Sequence, residues 1–160
     1  MTSPQGLQRL WAPWRSRYLY RRGSRRCIFC RAVKSRRDHH HYVVQRSRYA
    51  FALLNLYPYN NGHVMIAPRR HVPDLARLSD AALVDLWRLA QQMQRRLTRA
   101  LKPHGFNLGV NLGRVGGAGI PGHVHVHLVP RWIGDTNFMP ILGDTKVIAE
   151  SLEELYRRLR

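Results

Sequence analysis

Three histidines alternate with aliphatic residues late in the chain, at His123, His125 and His127. Side chains along a β-strand point alternately to opposite faces, so a strand here would place the three imidazoles on one face. The intervening Val124 and Val126 would then face a core. Three neighbouring imidazoles can ligate one metal ion, or one of them can act as a nucleophile that its neighbours tune.

A glycine-rich loop directly precedes these histidines and favours the second interpretation. Residues 113–122 contain five glycines. Backbone that carries no side chains can approach an anion closely and offer its N–H groups to it. A phosphate cradle beside an imidazole indicates phosphoryl or nucleotidyl chemistry.

The surrounding sequence predicts strands that would position these residues. Apolar runs of strand length occupy residues 49–56, 63–67, 106–112 and 123–129. Residues 57–62 separate the first two runs and contain Pro and Asn-Gly, which are typical of turns. We therefore predict that the first two strands form a hairpin.

One long helix is also predicted, with Ser79 as its N-cap and Pro103 and Gly105 ending it. Its apolar residues recur at helical spacing and form one stripe that faces the core. The members of this stripe are Leu83, Leu86, Trp87, Ala90, Met93, Leu97 and Leu101. A short helix is predicted over residues 151–160.

Length and composition indicate one globular domain. The chain has 160 residues, of which 44% are hydrophobic, and this length suits a single core. No apolar run reaches the roughly 18–20 residues that span a bilayer. The sequence begins with polar residues and shows no signal-peptide stretch, so we expect a cytoplasmic location.

Positive charge is concentrated at the start of the chain. The formal net charge is +18, and residues 1–37 contain eleven basic residues and no acidic one. Such a surface attracts nucleotides, nucleic acid or acidic membranes, although a solvated arm has the same composition. The aromatic residues of the arm either pack on the domain or stack on bases. They are Trp11, Trp14, Tyr18 and Tyr20.

The two cysteines, Cys27 and Cys30, have a spacing that suits a metal site or a redox pair. A redox pair would have a strand before it and a helix starting at it, whereas the preceding residues resemble an extended arm. We therefore favour a metal site. The tract His39–His41 is interpreted as an exposed loop, although these histidines are rival metal ligands.

Residues 123–129, HVHVHLV, match the alternating signature of the histidine triad (HIT) superfamily, and the chain resembles this family over about residues 27–132. Residues 55–63 resemble the family's nucleoside-binding hairpin. Residues 119–122 and 130–140 resemble a bacterial branch described as diadenosine tetraphosphate phosphorylase, ATP adenylyltransferase or HIT hydrolase.

This resemblance implies an α+β fold with an antiparallel sheet of about five strands, a long helix packed on it, and a homodimer. It divides the chain into a basic aromatic arm over residues 1–26, a HIT domain over residues 27–135, and a C-terminal extension with a short helix over residues 136–160.

The resemblance also implies an enzymatic activity. His125 would attack the α-phosphorus of a dinucleoside polyphosphate such as diadenosine tetraphosphate, and water or phosphate would then release the nucleotide from the histidine. The alternatives are hydrolysis of nucleoside phosphoramidates, or a regulatory protein that binds nucleotides or nucleic acid through residues 1–37.

By resemblance, the catalytic residues besides His125 are His127, which would contact phosphate, and His123, whose backbone would orient His125. The implied nucleotide contacts are Asn55, His63, Asn111, Gly117, Ala118 and Gly119, with Phe51 and Leu53 as candidates for the base pocket. A structural Zn²⁺ site is implied at Cys27, Cys30, His71 and His123. Residues 116–122 lack the Gln, Ser or Thr that assists the leaving group in many hydrolase relatives.

Overall fold

The computed structural model describes residues 27–136 and 147–160 of the chain. The predicted basic aromatic arm, with Trp11, Trp14, Tyr18 and Tyr20, lies outside the described residues. Residues 137–146 of the predicted C-terminal extension lie outside them as well.

Five antiparallel strands form one sheet, in the order β1-β2-β3-β5-β4. The strands are β1 (Val43–Arg46), β2 (Ala50–Leu54), β3 (Val64–Pro68), β4 (Gly105–Val110) and β5 (Val126–Arg131). The α+β architecture and the predicted hairpin, formed by β2 and β3, are confirmed.

The strand that carries the histidines begins later than the alternation predicts. β5 starts at Val126, which pairs with Ile66 of β3. β3 itself continues for two more residues and ends at Pro68. Just before β5 the chain has left this ladder, because the Val124 N–H donates to the Val72 carbonyl at 2.7 Å. His123 and His125 therefore lie in an extended segment that leads into the strand.

Among the described residues, three α-helices accompany the sheet: α1 (Ile28–Lys34), α2 (Asp80–Leu101) and α3 (Leu152–Leu159). The Ser79 hydroxyl accepts a hydrogen bond from the Ala82 N–H, which confirms the predicted N-cap of α2. Ser151 begins α3 with a capping box. Within the described ranges, no helix has the length and apolar character needed to cross a membrane.

Two hydrophobic clusters lie on opposite faces of the sheet. The larger one joins α2 and α3 to the sheet through residues such as Leu54, Leu86 and Leu128. The smaller one contains Phe29, Ala32, Val43, Phe51, Leu53, Met65 and Ala67. Val64 and Val126 belong to the larger cluster. Because side chains alternate along a strand, their neighbours His63, His125 and His127 lie on the face of the smaller cluster.

Gly62, in the turn between β2 and β3, occupies a position that only glycine fits. Its φ is +77°, and an added Cβ would lie 2.6 Å from Leu101 Cδ1 and 2.9 Å from Pro130 Cγ. A glycine at this position therefore allows the β2–β3 turn to close against α2 and β5.

We expect Gly62→Ala to lower the free energy of unfolding by about 2–3 kcal/mol, because it adds both backbone strain and overpacking. Urea unfolding measures this loss. Gly109→Ala is the matched control, since no heavy atom lies within 4 Å of its added Cβ. A loss in Gly62→Ala no larger than that in Gly109→Ala would contradict the steric requirement at this turn.

Candidate active site

Four histidines lie together on the face of the smaller cluster. His63, His123 and His125 are buried, and only His127 is partly exposed. The ring centroids of His125 and His127 are 4.8 Å apart, and those of His63 and His127 are 5.1 Å apart. The structure thus brings the three predicted triad residues together with the predicted hairpin histidine.

His125 is held by its own backbone neighbourhood. Its Nδ1–H donates to the His123 carbonyl at 2.9 Å, which leaves Nε2 as the unprotonated nitrogen. Among the described residues Nε2 has no hydrogen-bond partner. The residue as a whole is 4% exposed. Burial lowers the pKa of His125, and the neutral, nucleophilic form is favoured.

His127 has the opposite tautomer to His125, because of its hydrogen bond with His63. The Tyr59 backbone N–H donates to His63 Nδ1 at 3.0 Å, so the proton of a neutral His63 must reside on Nε2. His63 Nε2–H then donates to His127 Nδ1 at 2.9 Å. His127 therefore carries its proton on Nε2. Assigned from this network, the two neighbouring rings differ: His125 offers a lone pair at Nε2 and His127 an N–H.

Asn55, one of the implied nucleotide contacts, also takes part in this network. Its side-chain oxygen accepts the Tyr57 N–H at 3.0 Å, and its amide nitrogen lies 3.2 Å from His63 Nδ1. The Tyr59 ring stacks on His127 at 5.6 Å between centroids. Sequence reasoning treated Tyr59 only as part of a turn, although an aromatic residue four positions before His63 is the available signal.

The glycine-rich loop closes on itself. The Gly117 N–H donates to the Arg114 carbonyl and the Ala118 N–H to the Gly113 carbonyl, at 3.0 and 3.1 Å. Asn111 donates to the Gly117 carbonyl at 3.4 Å. Of the three amides expected to meet phosphate, only that of Gly119 has no hydrogen bond to the described residues.

The two base-pocket candidates, Phe51 and Leu53, lie on β2 within the smaller cluster. Phe51 is fully buried and Leu53 is 5% exposed. Phe29 of α1 contacts Phe51 at 6.3 Å between ring centroids. In this conformation both side chains are part of the packing beneath the histidines.

The four predicted metal ligands converge beside His125. One ligand atom from each of Cys27, Cys30, His71 and His123 lies within 4.8 Å of all the others. The closest approaches are 3.2 Å from Cys30 Sγ to His71 Nδ1, 3.2 Å between the two Nδ1 atoms, and 3.4 Å from Cys27 Sγ to His123 Nδ1. Tetrahedral zinc with bonds of about 2.0–2.3 Å separates its ligands by roughly 3.3–3.8 Å, so these residues fit a metal ion.

The tautomer of His123 agrees with this use. Its Nε2–H donates to the Pro68 carbonyl at 2.8 Å, so a neutral ring presents the Nδ1 lone pair to the cluster. Burial lowers the pKa of His123 to about 4, against the opposing effect of the bond to Pro68. The ring therefore remains an unprotonated potential ligand near neutral pH.

Two expectations about this region require correction. A helix does start at the cysteines, because α1 begins at Ile28 with Cys27 as its N-cap, so one of the two features expected of a redox pair is present. The residues before Cys27, whose arm-like sequence favoured a metal site, lie outside the described residues. His39–His41 form a single 3₁₀ turn and not an irregular loop. His39 pairs with Glu153 at 3.0 Å, and His41 lines the cleft beside the cysteines without joining the metal-ligand group.

A five-stranded sheet with a row of histidines on one face and a metal-ligand cluster beside them defines a small α+β domain of the histidine triad class. The HIT domain matches residues 36–132, and the chain belongs to the HIT domain family.

Similar proteins include enzymes. The chain is 40% identical to "AP-4-A phosphorylase" of Mycobacterium tuberculosis, across 96% of this chain and 83% of that protein. It is 31% identical to "Adenosine 5'-monophosphoramidase HNT1" of Saccharomyces cerevisiae, across 66% of this chain and 62% of that protein. These relatives make it a HIT-type nucleotide-processing enzyme.

The fold also resembles a solved structure, a hypothetical histidine triad nucleotide-binding protein from Sulfolobus tokodaii. The TM-score is 0.64 with 27% identity, and the match covers 83% of this chain and 86% of that one.

Burial of His123 has a consequence for stability. Between pH 6.5 and 4 the unfolded chain binds a proton at this residue that the folded chain does not, so stability must fall as pH falls through this window. For the metal-free protein we expect about 1–3 kcal/mol of this loss between pH 7 and 4.5 to depend on His123, measured by urea unfolding. The loss should shrink in His123→Gln and persist in His40→Gln, where the replaced residue is exposed. A His123→Gln profile parallel to that of the unaltered chain would contradict the assignment.

Proposed function

We propose that this enzyme cleaves the α-phosphate linkage of dinucleoside polyphosphates, such as diadenosine tetraphosphate, through a nucleotidyl intermediate on His125. The observation that carries the proposal is the pair of opposite tautomers, with a lone pair on His125 Nε2 and an N–H on His127 Nε2. The 40% identity to AP-4-A phosphorylase supports the substrate class.

The first step forms a bond between His125 Nε2 and the α-phosphorus. The bond from that phosphorus to the bridging oxygen breaks, and the leaving nucleotide takes the electron pair as an anion. His127 Nε2–H donates a hydrogen bond to the phosphate oxygens that gain charge, and the neutral ring keeps its proton. The His125 Nδ1–H bond to the His123 carbonyl stabilises the positive charge that the ring acquires.

In the second step an oxygen of water or of inorganic phosphate attacks the same phosphorus. The bond between nitrogen and phosphorus breaks, and its electron pair returns to His125. Water yields AMP and releases a proton, whereas phosphate yields ADP. Gly119, whose N–H has no hydrogen bond to the described residues, is the proposed backbone donor to phosphate.

The second candidate is hydrolysis of nucleoside phosphoramidates, which the similarity to a monophosphoramidase favours. An amine leaving group must gain a proton before it departs, whereas a polyphosphate leaves as an anion. His127 holds one proton that the His63 bond keeps in place, so the arrangement suits the polyphosphate better.

Zn²⁺ is the proposed ion for Cys27, Cys30, His71 and His123, because two thiolates and two imidazoles form a tetrahedral donor set for zinc. Bound there, the ion supplies a structural link between the start of α1 and the segment before β5. The chain's own contribution is orientation, since the Pro68 carbonyl fixes the His123 ring.

The proposal includes a HIT domain over residues 27–135 and a homodimer. Among the strands of the described residues β4 lies at the edge of the sheet, and its Leu108 is 45% exposed. An unpaired strand edge with an apolar side chain favours association with a second copy.

We expect the chain to convert diadenosine tetraphosphate to ATP and AMP in water, and to ATP and ADP in phosphate, as resolved by chromatography of the products. His125→Ala should lower kcat by at least about 10³-fold, because it removes the nucleophile. His40→Ala replaces an exposed histidine outside the site and serves as the control. A His125→Ala protein with full activity would rule out the mechanism, and cleavage of phosphoramidates alone would favour the second candidate.

Elemental analysis of protein purified without an affinity tag should find one zinc per chain. His71→Ala should lower the affinity for zinc by about 10-fold or more in competition with a chelator, since it removes one of four ligands. His41→Ala, which lies in the same cleft but outside the ligand group, should retain zinc. The reverse result would assign the site to the histidine tract.

A further inference from the structure

Phe29 links the metal-ligand cluster to the proposed nucleophile. It lies on α1 between Cys27 and Cys30, and its side chain is fully buried. Its ring centroid is 5.0 Å from that of His123 and 4.8 Å from that of His125. One aromatic ring of α1 thus contacts both His123, a proposed metal ligand, and His125, the proposed nucleophile.

The His125 ring is held by one hydrogen bond and by packing. Its Nδ1 bonds to the His123 carbonyl, and its ring neighbours among the described residues are Phe29 and His127. A single hydrogen bond at one corner still lets an imidazole tilt about that bond. The rings packed against it therefore help to set the direction of Nε2.

The position of Phe29 depends in turn on α1. This helix has seven residues and no side-chain N-cap bond, and helices of this length are unstable without external contacts. Arg46 holds its C-terminal end, donating to the Ala32 and Ser35 carbonyls at 2.7 and 3.1 Å. At its N-terminal end the cysteines face His71 and His123, so a bound metal ion anchors that end.

We propose that Phe29 is a positioning residue that transmits the order of the metal-bound helix to the His125 ring. The inference rests on the proposed function, in which His125 is the nucleophile. Metal occupancy fixes the N-terminal end of α1, α1 fixes Phe29, and Phe29 holds Nε2 of His125 in line with the substrate. A Phe29 that only fills the core would alter stability and leave the orientation of His125 unchanged.

The experiment compares Phe29→Leu with Val43→Ala, which replaces another fully buried residue of the same cluster. Val43 lies in β1, which β2 and β3 separate from the histidine-bearing β5. Zinc content is measured first on each purified protein. The ring ¹H–¹⁵N resonances of His125, assigned with a His125→Gln variant, are then recorded with zinc bound and after its removal by a chelator. Single-turnover reactions give the rate at which diadenosine tetraphosphate forms the nucleotidyl-histidine.

We expect the His125 resonances of the unaltered chain to shift or broaden when zinc is removed, and to recover when it is restored. Phe29→Leu should show the altered resonances with zinc still bound. It should form the intermediate about 10- to 100-fold more slowly with KM changed less than about 3-fold, because the reacting nitrogen is displaced. Val43→Ala should resemble the unaltered chain in all three measurements.

Unaltered His125 resonances after zinc removal would overturn the proposal, and this test needs no variant. It therefore holds even if Phe29→Leu fails to fold or to retain zinc. Zinc-bound Phe29→Leu with the resonances and rate of the unaltered chain would overturn it as well. Failure to cleave any dinucleoside polyphosphate would refute the proposed function alone, since the resonances report on Phe29 without substrate.

Discussion

His123 is the residue on which the rest of the site depends, because its atoms satisfy three demands at once. Its Nε2–H binds the Pro68 carbonyl at the end of β3, its Nδ1 faces the cysteines and His71, and its carbonyl accepts the His125 Nδ1–H. The ring is fully buried, so none of these groups can be satisfied by water instead. The sheet, the metal-ligand cluster and the orientation of His125 thus meet in one side chain and its own peptide group.

The chemistry of the neighbouring histidines is decided by backbone groups. The His123 carbonyl places the His125 proton on Nδ1, and the Tyr59 N–H, acting through His63, places the His127 proton on Nε2. Two identical side chains on one face thereby present opposite hydrogen-bonding properties. The period of two in the sequence predicts the shared face, but it contains no information about which nitrogen is protonated.

Local rules predicted the elements that have strong local signals. Ser79 and the apolar stripe predicted α2, and the Pro and Asn-Gly turn predicted the β2–β3 hairpin. β1 was missed because it has four residues and an irregular register between Val43 and Gln45. α1 was missed because it has seven residues and no capping side chain. Elements this short form through tertiary contacts, which a sequence pattern does not contain.

The same limit applies to the site. The histidines and cysteines of the candidate site were named from the sequence, and the structure brings them together. The sequence does not predict which amides of the glycine-rich loop are available to an anion. In the structure, the N–H groups of Gly117 and Ala118 donate to carbonyls within the loop itself. The supporting aromatic residues Tyr59 and Phe29 were also missed, since their importance arises from ring contacts across the fold.

Burial of the histidines has a chemical benefit and a cost in stability, and the two faces of the sheet contribute differently to meeting that cost. A dry imidazole remains neutral and interacts strongly with a developing charge, because few water dipoles compete with the protein's own groups. The cost is that polar rings must be held in a low-dielectric region by something other than their own packing. α2 and α3 supply the large apolar cluster on one face. The other face can then consist of four histidines, a short helix and a set of metal ligands without an extensive hydrophobic core of its own. A metal ion suits that face because its bonds are strong and few, whereas the seven-residue α1 buries only Phe29 and Ala32.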